Sequence, residues 1–340
     1  MMGMLALVTA LLQACLRKTE RTIGPALPAL PADSAIPVKE ANMVSKISLV
    51  RTKNRAEGVK QAIALLKSNP VREKTVVLKP NFNSADLTPG STHIDTLRTL
   101  VQTLREMGAK RITLAERSGP GLPTREVMEK KGIFELAKEL DFEVNNLEEL
   151  KPEGWVHIRP RDSHWKDGFL FPRVYAEAES IVQTCCLKTH SFGGHFTLSM
   201  KLAVGMVPRV GYAYMQELHS SPYQRQLIAE INTAFSPDLI VLDGVDVFVN
   251  GGPARGTLVQ AGVILAGTDR VAIDAVGVAI LRSLGTTPEV SRGRIFEQEQ
   301  IARAVELGLG VKTADQIQLV TGDGESEAYC AKIEDILLQG

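Results

Sequence analysis

The chain has 340 residues, with 39 Lys and Arg against 39 Asp and Glu, so it carries no net charge. A chain of this length buries a large core, as one domain or as two closely packed lobes. Phosphate backbones are bound through cationic excess, so neutrality sets nucleic acid aside as the main partner, and aromatics at 5% within a hydrophobic share of 44% predict an aliphatic core.

Residues 4–12 (MLALVTALL) form an apolar run too short for a dependable membrane span, resembling the apolar region of a secretory signal. Leu12-Gln13-Ala14-Cys15 has the form of a lipoprotein processing site, although no Lys or Arg precedes the run. The Pro- and Ala-rich stretch 24–37 reads as a flexible tether. Residues 1–45 are therefore expected to be leader and tether, with export or lipid anchoring at Cys15 preferred over a cytoplasmic protein. Membrane contact is expected only through that anchor. Residues 46–340 are expected to form the α/β body.

In that body 47–50 reads as a short strand. A helix follows over 55–67, with Val59, Ala62, Ile63 and Leu66 on one face. TVVL at 75–78 is a buried strand by length and β-branching. Leu97, Leu100, Val101 and Leu104 make the inner stripe of a helix over 94–107, capped by Ser91 or Thr92 and stopped by Gly108. Residues 111–115 are the next strand. This rhythm predicts a mostly parallel sheet covered by helices. The stretch 151–171 holds both tryptophans and reads as β-hairpins or a lid. Strands follow at 180–187, 238–243, 262–266 and 317–320, with helices over 270–283 and 301–309. Cys185 and Cys186 are expected on opposite faces of their strand as small hydrophobes.

Ligands of open α/β sheets bind beyond the carboxyl ends of strands. Two polar motifs fall there, Lys79-Pro80-Asn81 and Glu116-Arg117-Ser118-Gly119. The densest run is Leu187-Lys188-Thr189-His190-Ser191-Phe192-Gly193-Gly194-His195-Phe196-Thr197, followed by Lys201. Its glycines allow close backbone approach to an anionic oxygen, its lysines add charge, and His190 and His195 offer acid, base or ligand chemistry. The i, i+5 spacing of these histidines is not the pairing that puts two metal ligands on one helix face, and no metal site is assigned. His93, at a helix start, either faces the same cleft or serves only local capping. Asp243 ends a predicted strand as acid, base or acceptor, while Gly252 belongs to a Gly-Gly-Pro turn. Asp269 fits a helix cap. No C-x-x-C pair, P-loop, dinucleotide fingerprint or nucleophile elbow occurs, so no cofactor is assigned.

The segments VVLKPN, STHIDTLRTLVQTLREMGAKRITLAERSG, CCLKTHSFGGHFTLSMKLAVG, LIVLDGVDVFVNGGPARG and VILAGTDRVAIDAVGVAIL resemble, in order, the family known as domain of unknown function 362. The resemblance runs over roughly residues 46–322. It departs from the family pattern at Cys186, at Arg117 within the acidic-Ser-Ser-Gly turn, and at Leu202, where Lys-Asn is usual. Some members carry a ferredoxin-like iron–sulfur module, and this chain reads as a form without one. A fainter scaffold likeness to lactate racemase-type proteins implies a cleft but no nickel cofactor.

Three functions are weighed. The first is an enzyme acting on a small anionic metabolite. In it Lys79, Lys188 and Lys201 hold the anion, and His190 or His93, with Glu116 or Asp243, serves as acid or base. The second is an envelope-tethered, non-catalytic small-molecule binding protein. The third is a metal- or iron–sulfur-associated electron-transfer accessory. The first is preferred, and neither substrate nor oligomeric state is assigned.

Overall fold

The computed structural model describes residues 44–340. The leader, Cys15 and nearly all of the expected tether lie outside the described residues. Among the described residues eleven strands are present: β1 (Ser45–Arg51), β2 (Thr75–Lys79), β3 (Arg111–Glu116), β4 (Glu143–Asn146), β5 (Trp155–Ile158), β6 (Phe169–Pro172), β7 (Ser180–His190), β8 (His195–Thr197), β9 (Leu239–Gly251), β10 (Gly256–Gly267) and β11 (Ile317–Val320). Nine of them build one sheet in the order β11-β1-β10-β9-β7-β2-β3-β4, with β8 paired on β7. Strands β9, β7, β2, β3 and β4 run parallel, as does β1 with β11, giving the mostly parallel α/β sheet expected from the strand–helix rhythm. The exceptions are the short β8, antiparallel to β7, and β10, antiparallel to both β1 and β9. Strand β10 follows β9 through a tight turn in which Gly251 and Gly252 take φ of +85° and +77°, and a strand returning through such a turn reverses direction.

The helix Ile94–Glu106 buries Leu97, Leu100, Val101 and Leu104 against the sheet, and Gly108 closes its end at φ +88°. Its cap differs from the expectation. Thr92 Oγ1 accepts from Asn81 N–H at 2.8 Å and the Ser91 hydroxyl donates to the Ser84 carbonyl, so neither is free to cap. His93 does so instead, with Nδ1 accepting from Asp95 N–H at 3.1 Å. Asp269 caps the helix Arg270–Ser283 through Val271 and Ala272 N–H. The stretch 151–171 contributes to an antiparallel pair, β5 with β6, and both tryptophans pack into the aliphatic-aromatic cluster beside it. Cys185 enters the core on one face of β7, while Cys186 neighbours Asn81 and Lys188 on the other. No helix among the described residues is long and apolar enough to cross a membrane.

Candidate functional site

Strands β2 and β3 are adjacent and parallel, with Leu78 opposite Leu114, so their last residues meet at one sheet edge. There Lys79 Nζ lies 2.5 Å from Glu116 Oε1, and each side chain is only 1% exposed. Pro80 O accepts a second bond from Lys79 at 2.8 Å. The Glu116 carboxylate also accepts from Arg117 N–H at 2.8 Å and Phe82 N–H at 2.9 Å. Burial lowers the Lys79 pKa and the Glu116 charge opposes that shift. A buried pair is tolerable when its remaining valences are filled in this way. Arg117 donates to the Val207 carbonyl from Nε at 2.9 Å and Nη2 at 2.7 Å, to Ser118 O at 3.1 Å, and to Val204 O. Burial pushes its pKa down to about 10.

Strand β7 runs three residues further than its apolar pattern predicts, so Lys188, Thr189 and His190 belong to the sheet itself. Lys188 Nζ donates to Gly90 O at 2.6 Å and Pro253 O at 2.9 Å. Burial pushes its pKa down to about 8. His190 Nδ1 accepts from Phe192 N–H at 3.3 Å. Burial, then the charges of Lys201 and Lys188, hold this imidazole well below its ordinary pKa.

Lys201 sits on the short helix Ser199–Leu202. Asp274 receives that helix's first N–H groups, from Ser199 at 2.8 Å and Met200 at 3.2 Å, while Asn232 donates to Met200 O at 3.0 Å. Unlike the other two lysines, Lys201 has neither a hydrogen bond nor an ion pair among the described residues. Burial, then the cations Lys188 and Arg117, push its pKa down to about 7. These groups surround a cavity of about 60 Å³, with Lys79, Glu116, Arg117, Lys188, His190 and Lys201 in its wall. That is room for a few waters or one small oxyanion. Of the other polar groups of the lining, Thr197 Oγ1 is buried without a hydrogen-bond partner, while the Asn81 side chain lies against the Cys186 thiol.

Of the residues singled out from the sequence, Lys79, Asn81, Glu116, Lys188, His190 and Lys201 converge here. Gly194 packs beside them: a Cβ on it would lie 2.6 Å from Lys201 Cε and 3.1 Å from His190 Nδ1. Gly252 acts through the backbone, since a Cβ there would lie 2.1 Å from Thr189 O, and the turn it makes presents Pro253 O to Lys188. Asp243 is elsewhere, which corrects its placement as a strand-end acid. Strand β9 continues past it to Gly251, and its carboxylate accepts from Arg55 Nε at 2.9 Å, Thr96 Oγ1 at 2.7 Å and Val245 N–H at 3.1 Å. His93 is outside the cavity as a helix cap. Ser118 and Gly119 stand behind Arg117, their N–H groups bonded to Thr124 Oγ1 and Asn83 O at 2.9 and 2.8 Å.

The glycine run is also not the anion cradle expected of it. It is the turn of the β7–β8 hairpin, and Ser191 N–H donates to Gly252 O while Phe192 N–H goes to His190. Ser191 is exposed, Gly193 takes φ +74° and presents its carbonyl to Arg225, and His195, at φ +56°, is half-buried near Arg225 and Glu299.

Two contributors were missed in the sequence. Asp274 lies inside an apolar helix with no local sign of its partners. Gly205 matters only in three dimensions, because a Cβ there would lie 2.9 Å from both Lys79 Nζ and Glu116 Oε1. Gly205→Ala is therefore expected to force the pair apart and lower stability by about 1–3 kcal/mol in urea unfolding. A change under about 0.5 kcal/mol would mean that the Ala203–Met206 turn yields freely.

A larger cleft, about 470 Å³, lies between Arg51, Lys53, Arg55, Asp246, Gln260 and Glu325. Arg55 is paired with Asp243 and Asp246, and Arg51 lies 3.7 Å from Glu325, so its charges largely cancel. Among the described residues no group of three or more His, Cys, Asp or Glu side chains is placed to hold a metal ion.

No curated protein matches the chain. Among solved structures, the lactate racemase apoprotein from Thermoanaerobacterium thermosaccharolyticum is similar at 13% identity and a TM-score of 0.42, over 88% of this chain and 87% of that one. A protein from Thermotoga maritima is similar at 12% identity and a TM-score of 0.44, over 69% of this chain and 59% of that one. The family description Domain of unknown function (DUF362) matches residues 76–279, the span that carries Lys79, Glu116, Lys188, His190, Lys201 and Asp274, and the chain belongs to that family.

Proposed function

We propose that this protein is an enzyme acting on a small anionic metabolite bound in the cavity beside Lys201. The observation that carries this reading is the imbalance of the wall: three lysines and one arginine face a single carboxylate, and one of those lysines has no partner of its own. Buried cations are ordinarily paired, so an uncompensated one beside the unpartnered Thr197 hydroxyl suits an oxyanion that arrives from outside. Lys201 and the neutral His190 imidazole are both packed against Gly194, so a lysine that can hold or release a proton near neutral pH stands beside a neutral imidazole that can accept one.

Thermal unfolding with a panel of small carboxylates and phosphates tests the reading, because a ligand that binds the native state raises the melting temperature. Acetate or phosphate is expected to stabilise the wild type, and Lys201→Met to weaken binding about 10- to 100-fold, the loss of one charge-assisted hydrogen bond. The sign of the pH effect follows from Lys201, which is charged below about 7 and neutral above it. Anion affinity should therefore fall as pH rises through 7, and again near 8 as Lys188 loses its proton. Affinity that is flat from pH 6 to 9, or intact in Lys201→Met, would remove Lys201 from the site. A ligand that binds and is recovered unchanged from every co-reactant tried would favour a binding protein instead.

A further inference from the structure

Resting on that reading, we infer that Lys201 is a covalent catalyst, forming a protonated Schiff base with a small 2-oxo carboxylate. The three lysines of the wall differ in one decisive respect. Lys79 is ion-paired with Glu116, and Lys188 donates to two backbone carbonyls. Both amines have protons engaged by these acceptors. Lys201 alone has no acceptor, is only 9% exposed, and stands near Lys188 and Arg117. A lysine that is desolvated and set beside other cations is the kind that reaches the neutral, nucleophilic form at ordinary pH.

The substrate class follows from the rest of the wall. Lys188 supplies a positive charge for a carboxylate, and the buried Thr197 hydroxyl, without a partner of its own, can donate to one. The small volume restricts the carbon skeleton to a short one. A carbonyl next to a carboxylate satisfies both demands, the electrophile for the amine and the anion for the cations.

The step balances without an oxidant or reductant. The Lys201 lone pair forms the N–C bond, and the carbonyl π pair takes up one of the amine's own protons to give the carbinolamine. A second proton, from solvent, converts that hydroxyl to water, which leaves as the nitrogen lone pair forms the C=N bond. The products are the iminium and one water. His190, neutral and packed against the same glycine as Lys201, is placed to relay the proton. Besides Lys188, Arg117 and His190, His219 also lies within electrostatic reach of Lys201, and burial lowers its pKa too.

The test is reductive trapping. The full chain is incubated with pyruvate and cyanoborohydride, digested, and mapped by peptide mass spectrometry. The expected result is one reduced adduct per chain on Lys201, at least about tenfold above any other lysine. Its yield should rise between pH 6 and 8, opposite to the trend in acetate affinity, because the neutral amine reacts. Excess phosphate should compete, which needs no variant to fold. Lys201→Arg retains a cation but has no nucleophilic amine, so it should keep anion-dependent stabilisation and lose the adduct. Label on Lys79 or Lys188, or spread evenly over surface lysines, would overturn the inference. Stabilisation by acetate and pyruvate alike without an adduct would overturn it too, while leaving the anion-binding reading in place. Neither stabilisation nor adduct would defeat both.

Discussion

Lys79→Met and Glu116→Gln are each expected to destabilise the protein by about 3–5 kcal/mol, and the double variant by clearly less than their sum. Both side chains are almost wholly buried and 2.5 Å apart. Removing the lysine leaves a carboxylate with only the Phe82 and Arg117 N–H groups. Removing the carboxylate charge leaves an ammonium with only neutral acceptors, Pro80 O and the new amide oxygen. Either single change leaves a charge without its counter-charge at a place nearly closed to solvent, whereas the double change leaves none. Urea unfolding of the four proteins gives the coupling directly. A coupling below about 1 kcal/mol would show that water reaches the pair, and that the carboxyl ends of β2 and β3 are not sealed as the structure has them. Because Glu116 also supplies the only carboxylate of the cavity wall, Glu116→Gln makes that wall more cationic. Surviving Glu116→Gln protein should bind acetate at least as tightly as the wild type.

Much of this edge was legible beforehand for a specific reason. TVVL and RITLA are short β-branched and aliphatic runs, each leading straight to a charged residue, and a strand–helix–strand connection places two such ends side by side. Nothing comparable announced the antiparallel β10, since pairing partners depend on the whole sheet and leave no periodic trace. Lys188 and His190 were recognised as chemistry but placed beyond the end of a strand closing at residue 187. Polar residues end an apolar pattern even where the strand continues, and β7 continues because its last residues pair with β8 and with β9 at Phe248. Asp243 shows the opposite error. A carboxylate after an apolar run looks like a strand-end acid, but its partner Arg55 is 188 residues away, and no local rule predicts an ion pair over that separation. The glycine run failed as an anion cradle for a related reason: glycines announce an unusual backbone, not whether its N–H groups are already in use.

Asp274 is the least legible part of the site and carries the second large effect. It lies within the helix Arg270–Ser283, completely buried, yet it receives Ser199 and Met200 N–H and so fixes the turn that holds Lys201. Burial pushes its pKa up to about 8, against the pull of those N–H groups and of Gln300. Asp274→Ala leaves two buried backbone donors without acceptors, at about 1–3 kcal/mol each, besides the longer bond from Gln300, so a loss of about 2–5 kcal/mol is expected. Asp274→Asn keeps one acceptor oxygen and should lose less. Stability alone does not separate a positioning residue from a merely structural one, but the behaviour of Lys201 does. If Asp274 holds that lysine in its buried place, Asp274→Asn should weaken acetate binding about tenfold. It should also move the pH midpoint of binding upward from 7, because an amine released toward solvent recovers its ordinary affinity for protons. A variant that melts earlier but binds acetate with unchanged strength and midpoint would show that the Ser199–Leu202 helix stays in place without its buried carboxylate, and that Lys201 owes its unpaired state to the surrounding core alone.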